Sequence, residues 1–160
     1  NQMEREEYDF FARWIAGQIW GDEWTFVLTL LPWIVLLVPV VYAKSNVLNS
    51  LQLDETIATG LGVLINKERI LLIVIAVALA ASSVSVSGEI AFLGLLAPHI
   101  ARVLVGPRHQ IFLPVAALLG GFLLLSADTI GRVILDPMGV PAGIVMACIG
   151  APYFLYLLMK

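Results

Sequence analysis

Long apolar runs constrain this chain more than any other feature of its sequence. Of its 160 residues, 60% are apolar and only 13% carry a charge, and the mean hydropathy is +0.94. Soluble globular domains are nearer half apolar and a quarter charged, so this excess of apolar residues requires a solvent other than water. The chain is therefore predicted to be an integral membrane protein that lies in a lipid bilayer.

Five of these runs are candidates to cross a hydrocarbon core of about 30 Å as helices, which pair every backbone polar group internally. The predicted spans are residues 24–43, 70–86, 90–105, 111–127 and 140–159. The predicted fold class is all-α: a polytopic membrane bundle of about five transmembrane helices with short interfacial and coupling helices. The whole chain, 1–160, is expected to form one transmembrane domain.

The distribution of charge predicts how the bundle is oriented. One side would collect the N-terminal segment, the turn at 87–89 and the loop at 128–139, with three basic residues against nine acidic ones. The other side has six basic residues against three acidic ones: Lys44, Lys67, Arg69, Arg102, Arg108 and Lys160. Because cytoplasmic loops carry an excess of Lys and Arg, the second side is predicted to be cytoplasmic. The N-terminus of the chain is then outside and its C-terminus inside.

The segment 8–21 and the single cysteine each allow few functional interpretations. The segment 8–21 is too short and too polar to cross a membrane, but its aromatic side chains suit the membrane interface, so an outer interfacial helix is predicted. That helix would lie near a transport pathway or serve as a simple anchor. The single cysteine, Cys148, lies in an apolar run, so neither a disulfide framework nor a cysteine metal site is expected. No cofactor, bound metal or nucleic-acid partner is predicted.

Polar residues near the end of the third span need a place out of the lipid. Arg102 in bare hydrocarbon would cost about 2.5 to 3.5 kcal/mol on insertion scales, so Pro98, His99 and Arg102 are expected at the cytoplasmic end or inside the bundle. His99 would suit a proton relay or a metal ligand. Its only companion, His109, lies ten residues on in a predicted loop. A structural histidine that caps a kinked helix is therefore the favoured interpretation.

Two further patterns suggest local helical structure. Asp128 and Arg132 are four residues apart with the acid first, which is the favourable order for a pair on one helix. Taken alone, such a pair at an interface has little energetic weight. In the loop 44–69, Asp54 and Glu55 suit the first turn of a short helix, and Gly62 suits its left-handed end.

Four stretches, in order, resemble the FecCD-type permease subunits of bacterial ABC importers for iron-siderophores, haem and cobalamin. They are LNSLQLDETIATGLGV (48–63), GEIAFLGLLAPHIARVLVGPRH (88–109), LPVAALLGGFLLLSADTIGRVI (113–134) and VPAGIVMACIGAPYFLYLL (140–158). The second stretch carries the signature positions Gly88, Gly94, Pro98, His99 and Arg102. Members of the family have about twice this length and ten spans. The chain therefore resembles their C-terminal half, which agrees with the absence of a starting methionine.

The resemblance implies that 44–69 is a cytoplasmic coupling loop, docking on an ATP-binding ABC subunit. The residues that would dock are Leu53, Asp54, Glu55, Ala58, Leu61 and Gly62. Glu55, Ala58 and Gly62 match the spacing in the family, whereas Asp54 departs from it because a glycine is usual there. Judged without the resemblance, a solvated loop that binds nothing is the favoured reading.

The resemblance also implies that Arg132, beside Asp128, receives a carboxylate from an extracytoplasmic substrate-binding protein. A planar guanidinium suits that contact because it can offer two parallel hydrogen bonds to one carboxylate. At Gly139 the family often has a glutamate, so one possible contact at this rim is absent here.

The chain contains no GxxxxGK[ST] nucleotide-binding loop, so its energy source must be another subunit. The resemblance implies a permease that pairs with a second permease, identical or homologous, in the bacterial cytoplasmic membrane. It would move iron-siderophore complexes by ATP-driven alternating access and catalyse no covalent chemistry itself. Haem or cobalamin are alternative substrates.

Two other classes of protein are alternatives to this prediction. An intramembrane enzyme using His99 with Glu89 or Asp128 is disfavoured because those acids are predicted on the opposite side of the membrane from His99. A passive channel or scaffold would need no coupling helix.

Overall fold

The computed structural model describes residues 15–17, 24–53, 60, 64–134 and 140–159. Its helices are α1 (Trp24–Ala43), α2 (Ser45–Ser50), α3 (Ile65–Ser87), α4 (Leu93–Val105), α5 (His109–Ile134) and α6 (Ala142–Leu158). Within those ranges there is no strand, which confirms the predicted all-α class. Most of the predicted interfacial helix at 8–21 lies outside the described residues; residues 15–17 of it end in a turn.

In the part of the chain that the structure describes, three helices have the length and composition to cross a membrane: α1, α3 and the part of α5 that runs to Val133. The helices α4 and α6 have 13 and 17 residues. At 1.5 Å per residue they are about 20 and 26 Å long, short of a hydrocarbon core of about 30 Å. Three of the five predicted spans are therefore confirmed on these criteria, and the other two are shorter apolar helices.

The bounds of two helices differ from the predicted spans for identifiable reasons. The third span was expected from residue 90, but α4 begins at Leu93 because Phe92 has a φ of 63°. That left-handed conformation cannot continue into a right-handed helix. The second span was expected from residue 70, but α3 begins at Ile65 and carries charged residues in its first turns. The predicted coupling loop is therefore helical over its last residues.

The long helices alternate in direction, which gives the bundle two ends. One end, which we call the Asn49 end, contains the whole of α2, the last residues of α1 and α4, and the first residues of α3 and α5. Contacts from Lys44 to Glu68 and from Asn49 to His109 join these segments. The Arg132 end comprises residues 15–17, the turn after α3, the end of α5 and the start of α6. Backbone hydrogen bonds join Gly143 to Gly17 and Val140 to Gly131. These contacts bring together the segments that the charge pattern assigns to each side of a membrane.

The core of the bundle lies among α4, α5 and α6. It is a cluster of four buried residues, Leu96, Ala127, Ala142 and Met146, with partly buried apolar side chains packed around it. By contrast, α1 has no buried residue, although it packs along α3. A helix that is apolar all round and still exposed in the isolated chain requires lipid or other polypeptide as its surroundings. The chain is therefore built to be covered on its outer faces.

Candidate functional site

Glycines hold the Arg132 end together by letting backbone touch backbone. A Cβ added at Gly143 would lie 2.5 Å from the carbonyl oxygen of Ala16 and 3.0 Å from that of Glu89. A Cβ added at Gly131 would overlap the carbonyl oxygen of Val140, whose N–H donates to the Gly131 carbonyl at 2.9 Å. No larger residue fits either position without moving backbone, so the end of α5 has a fixed place beside the start of α6.

Asp128 and Arg132, the pair that the sequence predicts on one helix, lie on this fixed end of α5. Arg132 Nε donates to Asp128 Oδ2 at 2.9 Å, with the two residues four apart on the helix. The Asp128 side chain is 13% exposed and the Arg132 side chain is 56% exposed. A mostly buried carboxylate thus orients a guanidinium that stands at the surface. This geometry suits an approaching anion, although the contact within the helix is itself weak.

An ion pair closes the base of the predicted coupling loop at the Asn49 end. Lys44, directly after α1, donates from Nζ to Oε1 of Glu68 in the first turn of α3. Both side chains are half-buried, and Glu68 Oε2 is buried with no hydrogen-bond partner among the described residues. The pair fixes where the loop leaves α1 and where it enters α3.

A second set of contacts joins α2 to the start of α5, and we call these four residues, Asn46, Asn49, His109 and Gln110, the polar clamp. Asn49 Oδ1 accepts from the backbone N–H of His109 at 3.0 Å and lies 2.8 Å from His109 Nδ1. Asn49 Nδ2 donates to Gln110 Oε1 at 2.8 Å, and Gln110 Nε2 donates to Asn46 Oδ1. Since an amide oxygen only accepts, His109 Nδ1 must carry a proton.

Sequence analysis placed His109 in a loop, and that placement is wrong: it is the first residue of α5 and is buried. The first backbone N–H groups of a helix have no partner within the helix. Asn49 supplies a partner from another helix, which explains why α5 can begin at this residue. The His109 ring also meets Phe112 edge-on at 5.6 Å, and the Arg102 guanidinium lies 5.4 Å from the Phe112 ring centre.

Arg102 therefore lies in the last turn of α4 at the Asn49 end, where the sequence placed it. His99 lies in the middle of α4 and not at a helix end, so the expected capping role is wrong. Its ring meets Tyr153 edge-on at 5.9 Å, beside a cavity of about 100 Å³ between α4 and α6. Among the described residues, no group of three or more His, Cys, Asp or Glu could hold a metal.

The remaining signature positions have structural surroundings. Gly88 follows the last residue of α3 with a φ of 69°. Pro98 lies inside α4, and Gly94, in the first turn of that helix, has open space around it. These residues shape the turn between α3 and α4 and the course of α4.

Of the predicted ATPase-docking residues, Leu53 alone lies within the described ranges. Leu53 is exposed, three residues beyond the end of α2, and its N–H donates to the Ser50 carbonyl at 3.1 Å. The others lie outside the described residues: Asp54, Glu55, Ala58, Leu61 and Gly62. Their docking role stays a prediction.

The polar clamp is the part of the site that sequence reasoning missed. Asn46 and Asn49 are three apart, a spacing that places two side chains on one face of a helix. That spacing was the available signal for a polar contact made by α2. Its partners at the start of α5 are about 60 residues away along the chain, and a single sequence contains nothing that pairs them.

A further cavity of about 300 Å³ lies between α1 and α3, lined in part by Thr29, Trp33 and Ser82. The Thr29 hydroxyl donates to the Thr25 carbonyl and the Ser82 hydroxyl to the Leu79 carbonyl. Because these hydroxyls bond within their own helices, the groove offers little polar chemistry to a ligand.

Together, the helices and the two chemically different ends define a multi-pass helical membrane protein. The chain belongs to the FecCD transport family, whose sequence profile matches residues 1–160.

Relatives and a solved structure agree with that assignment. The chain is 51% identical, over 99% of its length, to the iron(3+)-hydroxamate import system permease protein FhuG of Bacillus subtilis, of which it covers 48%. It is 39% identical, over 92% of its length, to the Fe(3+) dicitrate transport system permease protein FecD of Escherichia coli, of which it covers 46%. An inward-facing metal-chelate type ABC transporter superposes with a TM-score of 0.85 at 36% identity, covering 92% of this chain and 49% of that one. The chain thus spans about half the length of these relatives.

Proposed function

We propose that the chain is part of the permease subunit of a binding-protein-dependent ABC importer that moves iron-siderophore complexes across the bacterial cytoplasmic membrane. The observation that carries this proposal is the family match over the whole chain. The relatives at 51% and 39% identity are named for import of iron hydroxamate and iron dicitrate. These names favour an iron chelate over haem or cobalamin as the cargo.

The two ends suit different partners in such an importer. The Asn49 end has five of the chain's basic residues among the described ranges, and we assign it to the cytoplasm: Lys44, Lys67, Arg69, Arg102 and Arg108. An ATP-binding subunit would dock there on the segment that begins at Leu53. The Arg132 end would face outward and receive the substrate-binding protein. A second permease, identical or homologous, would complete the pathway, and ATP binding would alternate which side is open.

Docking on the ATP-binding subunit is tested at Glu55. Glu55→Arg reverses a charge in the segment that would meet the ATPase, so ATP hydrolysis should continue while uptake of a ferric hydroxamate falls at least about tenfold. The measurement is iron uptake per ATP hydrolysed by the complete transporter in liposomes. Gln52→Arg introduces the same side chain at an exposed position outside the docking set and should transport normally. Normal coupling in the Glu55 variant would remove the docking role.

Docking of the binding protein is tested at Arg132. Arg132→Glu replaces an exposed cation with an anion, so the affinity for the binding protein should fall about tenfold or more because charges of like sign would meet. Arg108→Glu makes the same change at the Asn49 end and should leave that affinity unaltered. A binding-protein variant with its contacting glutamate changed to arginine should restore binding to Arg132→Glu. Unaltered affinity in Arg132→Glu would contradict the proposal.

A further inference from the structure

The short helix α2 connects the predicted docking segment to the rest of the bundle. A single residue, Lys44, separates it from the end of α1, and Leu53 follows its last residue by three positions. Any displacement of the segment beyond Leu53 therefore acts on α2 at one end and on α3, through Leu64, at the other. Where that displacement goes next depends on what α2 holds.

The chief contact of α2 is with the start of α5. The polar clamp makes this contact through four side chains and one backbone N–H, and each of its side chains bonds across the gap between the two helices. The hydroxyl of Ser50, on the same helix, donates instead to the Asn46 backbone carbonyl within α2 at 3.0 Å. A force on α2 therefore passes to α5 through the clamp.

α5 extends from the clamp to the opposite end of the bundle. It has 26 residues, or about 39 Å at 1.5 Å per residue. Pro114 removes one backbone hydrogen bond near its start, but the helix continues through it to Ile134. The extensive packing of α5 against α4 makes the two helices a single body. The same body carries Asp128 and Arg132 at its far end.

We propose that the polar clamp transmits movement of the ATPase-docking segment to α5, and so couples the Asn49 end of the permease to its Arg132 end. This inference rests on the proposed importer function. Asn49 and His109 act here as positioning residues: they touch neither nucleotide nor cargo. Because each clamp hydrogen bond contributes modestly to stability, losing Asn49 should disturb coupling more than folding.

The test compares coupling in variants of the complete transporter, reconstituted in liposomes with its ATP-binding subunit and binding protein. The readout is the number of ferric hydroxamate molecules imported per ATP hydrolysed. Asn49→Ala should lower this ratio about tenfold, since it removes the contacts that Asn49 makes with His109 and Gln110 across the two helices. Ser50→Ala, which removes a hydrogen bond from the same helix without touching α5, should keep the ratio of the unaltered protein.

A second variant tests transmission directly, and serves also if Asn49→Ala fails to assemble. Asn46→Cys with Gln110→Cys, in a Cys148→Ala background, should have a lowered coupling ratio until a short bifunctional thiol reagent joins the two helices, and the ratio of the unaltered protein afterwards. Full coupling in untreated Asn46→Cys/Gln110→Cys, or in assembled Asn49→Ala, would overturn the clamp proposal. No uptake and no stimulated hydrolysis by the unaltered transporter would instead overturn the importer function.

Discussion

The two ends of the bundle are held together by different kinds of contact. At the Arg132 end, backbone meets backbone where Gly131 and Gly143 leave no room for a side chain. At the Asn49 end, side chains bridge the helices through the ion pair of Lys44 with Glu68 and through the polar clamp. Steric contacts in a packed interior resist displacement, whereas individual hydrogen bonds contribute about 1 kcal/mol net and can exchange partners.

This difference suits the tasks proposed for the two ends. A rigid backbone junction keeps the exposed Arg132 guanidinium in one position, as a docking surface for a separate protein requires. A side-chain junction can shift between arrangements without breaking the fold, as a coupling segment requires. The contrast makes a quantitative claim: substitutions should cost most at the glycines, less at the bridging side chains, and least at the pair within α5.

The largest effect is expected from Gly131→Ala. Its Cβ would overlap the Val140 carbonyl oxygen, so α5 and the start of α6 would have to separate. We expect a loss of about 2 to 3 kcal/mol in the free energy of unfolding, as for overpacked cores. Unfolding of the purified protein in detergent measures this loss.

Gly121→Ala is the matched control for that experiment, because Gly121 lies on the same helix with open space around it. Alanine is the better helix former by about 1 kcal/mol, so this variant should be as stable as the unaltered protein or more so. If Gly131→Ala were equally well tolerated, the Arg132 end would not be sterically fixed.

An intermediate effect is expected from Lys44→Ala. It leaves the half-buried Glu68 carboxylate without its cation, so we expect a loss of about 1 to 2 kcal/mol, between values for exposed and buried pairs. A double-mutant cycle with Glu68→Gln isolates the interaction of the pair. The loss of unfolding free energy in the double variant should differ from the sum of the losses in the two single variants. Simple additivity would show that the ion pair does not hold the base of the loop.

The smallest effect is expected from Asp128→Asn. The pair with Arg132 lies within one helix and its guanidinium is exposed, so its loss should cost no more than about 0.5 kcal/mol. The same detergent unfolding measurement applies. A loss of unfolding free energy as large as that of Lys44→Ala would mean that Asp128 holds the fold together. The two ends would then not differ in the kind of contact that stabilises them.

The extent to which the sequence predicts this structure follows from the range of the interactions. The all-α class and the bounds of α1 follow from hydropathy, a local property, and the Asp128–Arg132 pair follows from helical spacing. The start of α4 was missed because Phe92 takes a conformation that phenylalanine rarely adopts. The Cβ and ring of Phe92 pack so closely on Gly150 that a side chain at position 150 would overlap them. Such tertiary packing leaves no mark in local composition.

The contacts at the Asn49 end were missed for the same reason. Glu68 was predicted in a loop, and its pairing with Lys44 joins positions 24 residues apart. His109 was also predicted in a loop, but it is the first residue of α5, and its backbone N–H donates to the distant Asn49. Where a contact joins distant segments, the sequence shows which residues are polar but not which of them meet.

The central claim is that the Asn49 end faces the cytoplasm and the Arg132 end faces outward. Single cysteines at positions 55 and 132, introduced by Glu55→Cys and Arg132→Cys with Cys148→Ala, test it by labelling with a maleimide that cannot cross membranes. In spheroplasts or intact Gram-positive cells, we predict labelling at 132 alone, with 55 labelled only after the membrane is permeabilised. Labelling of both positions from the same side would contradict the account.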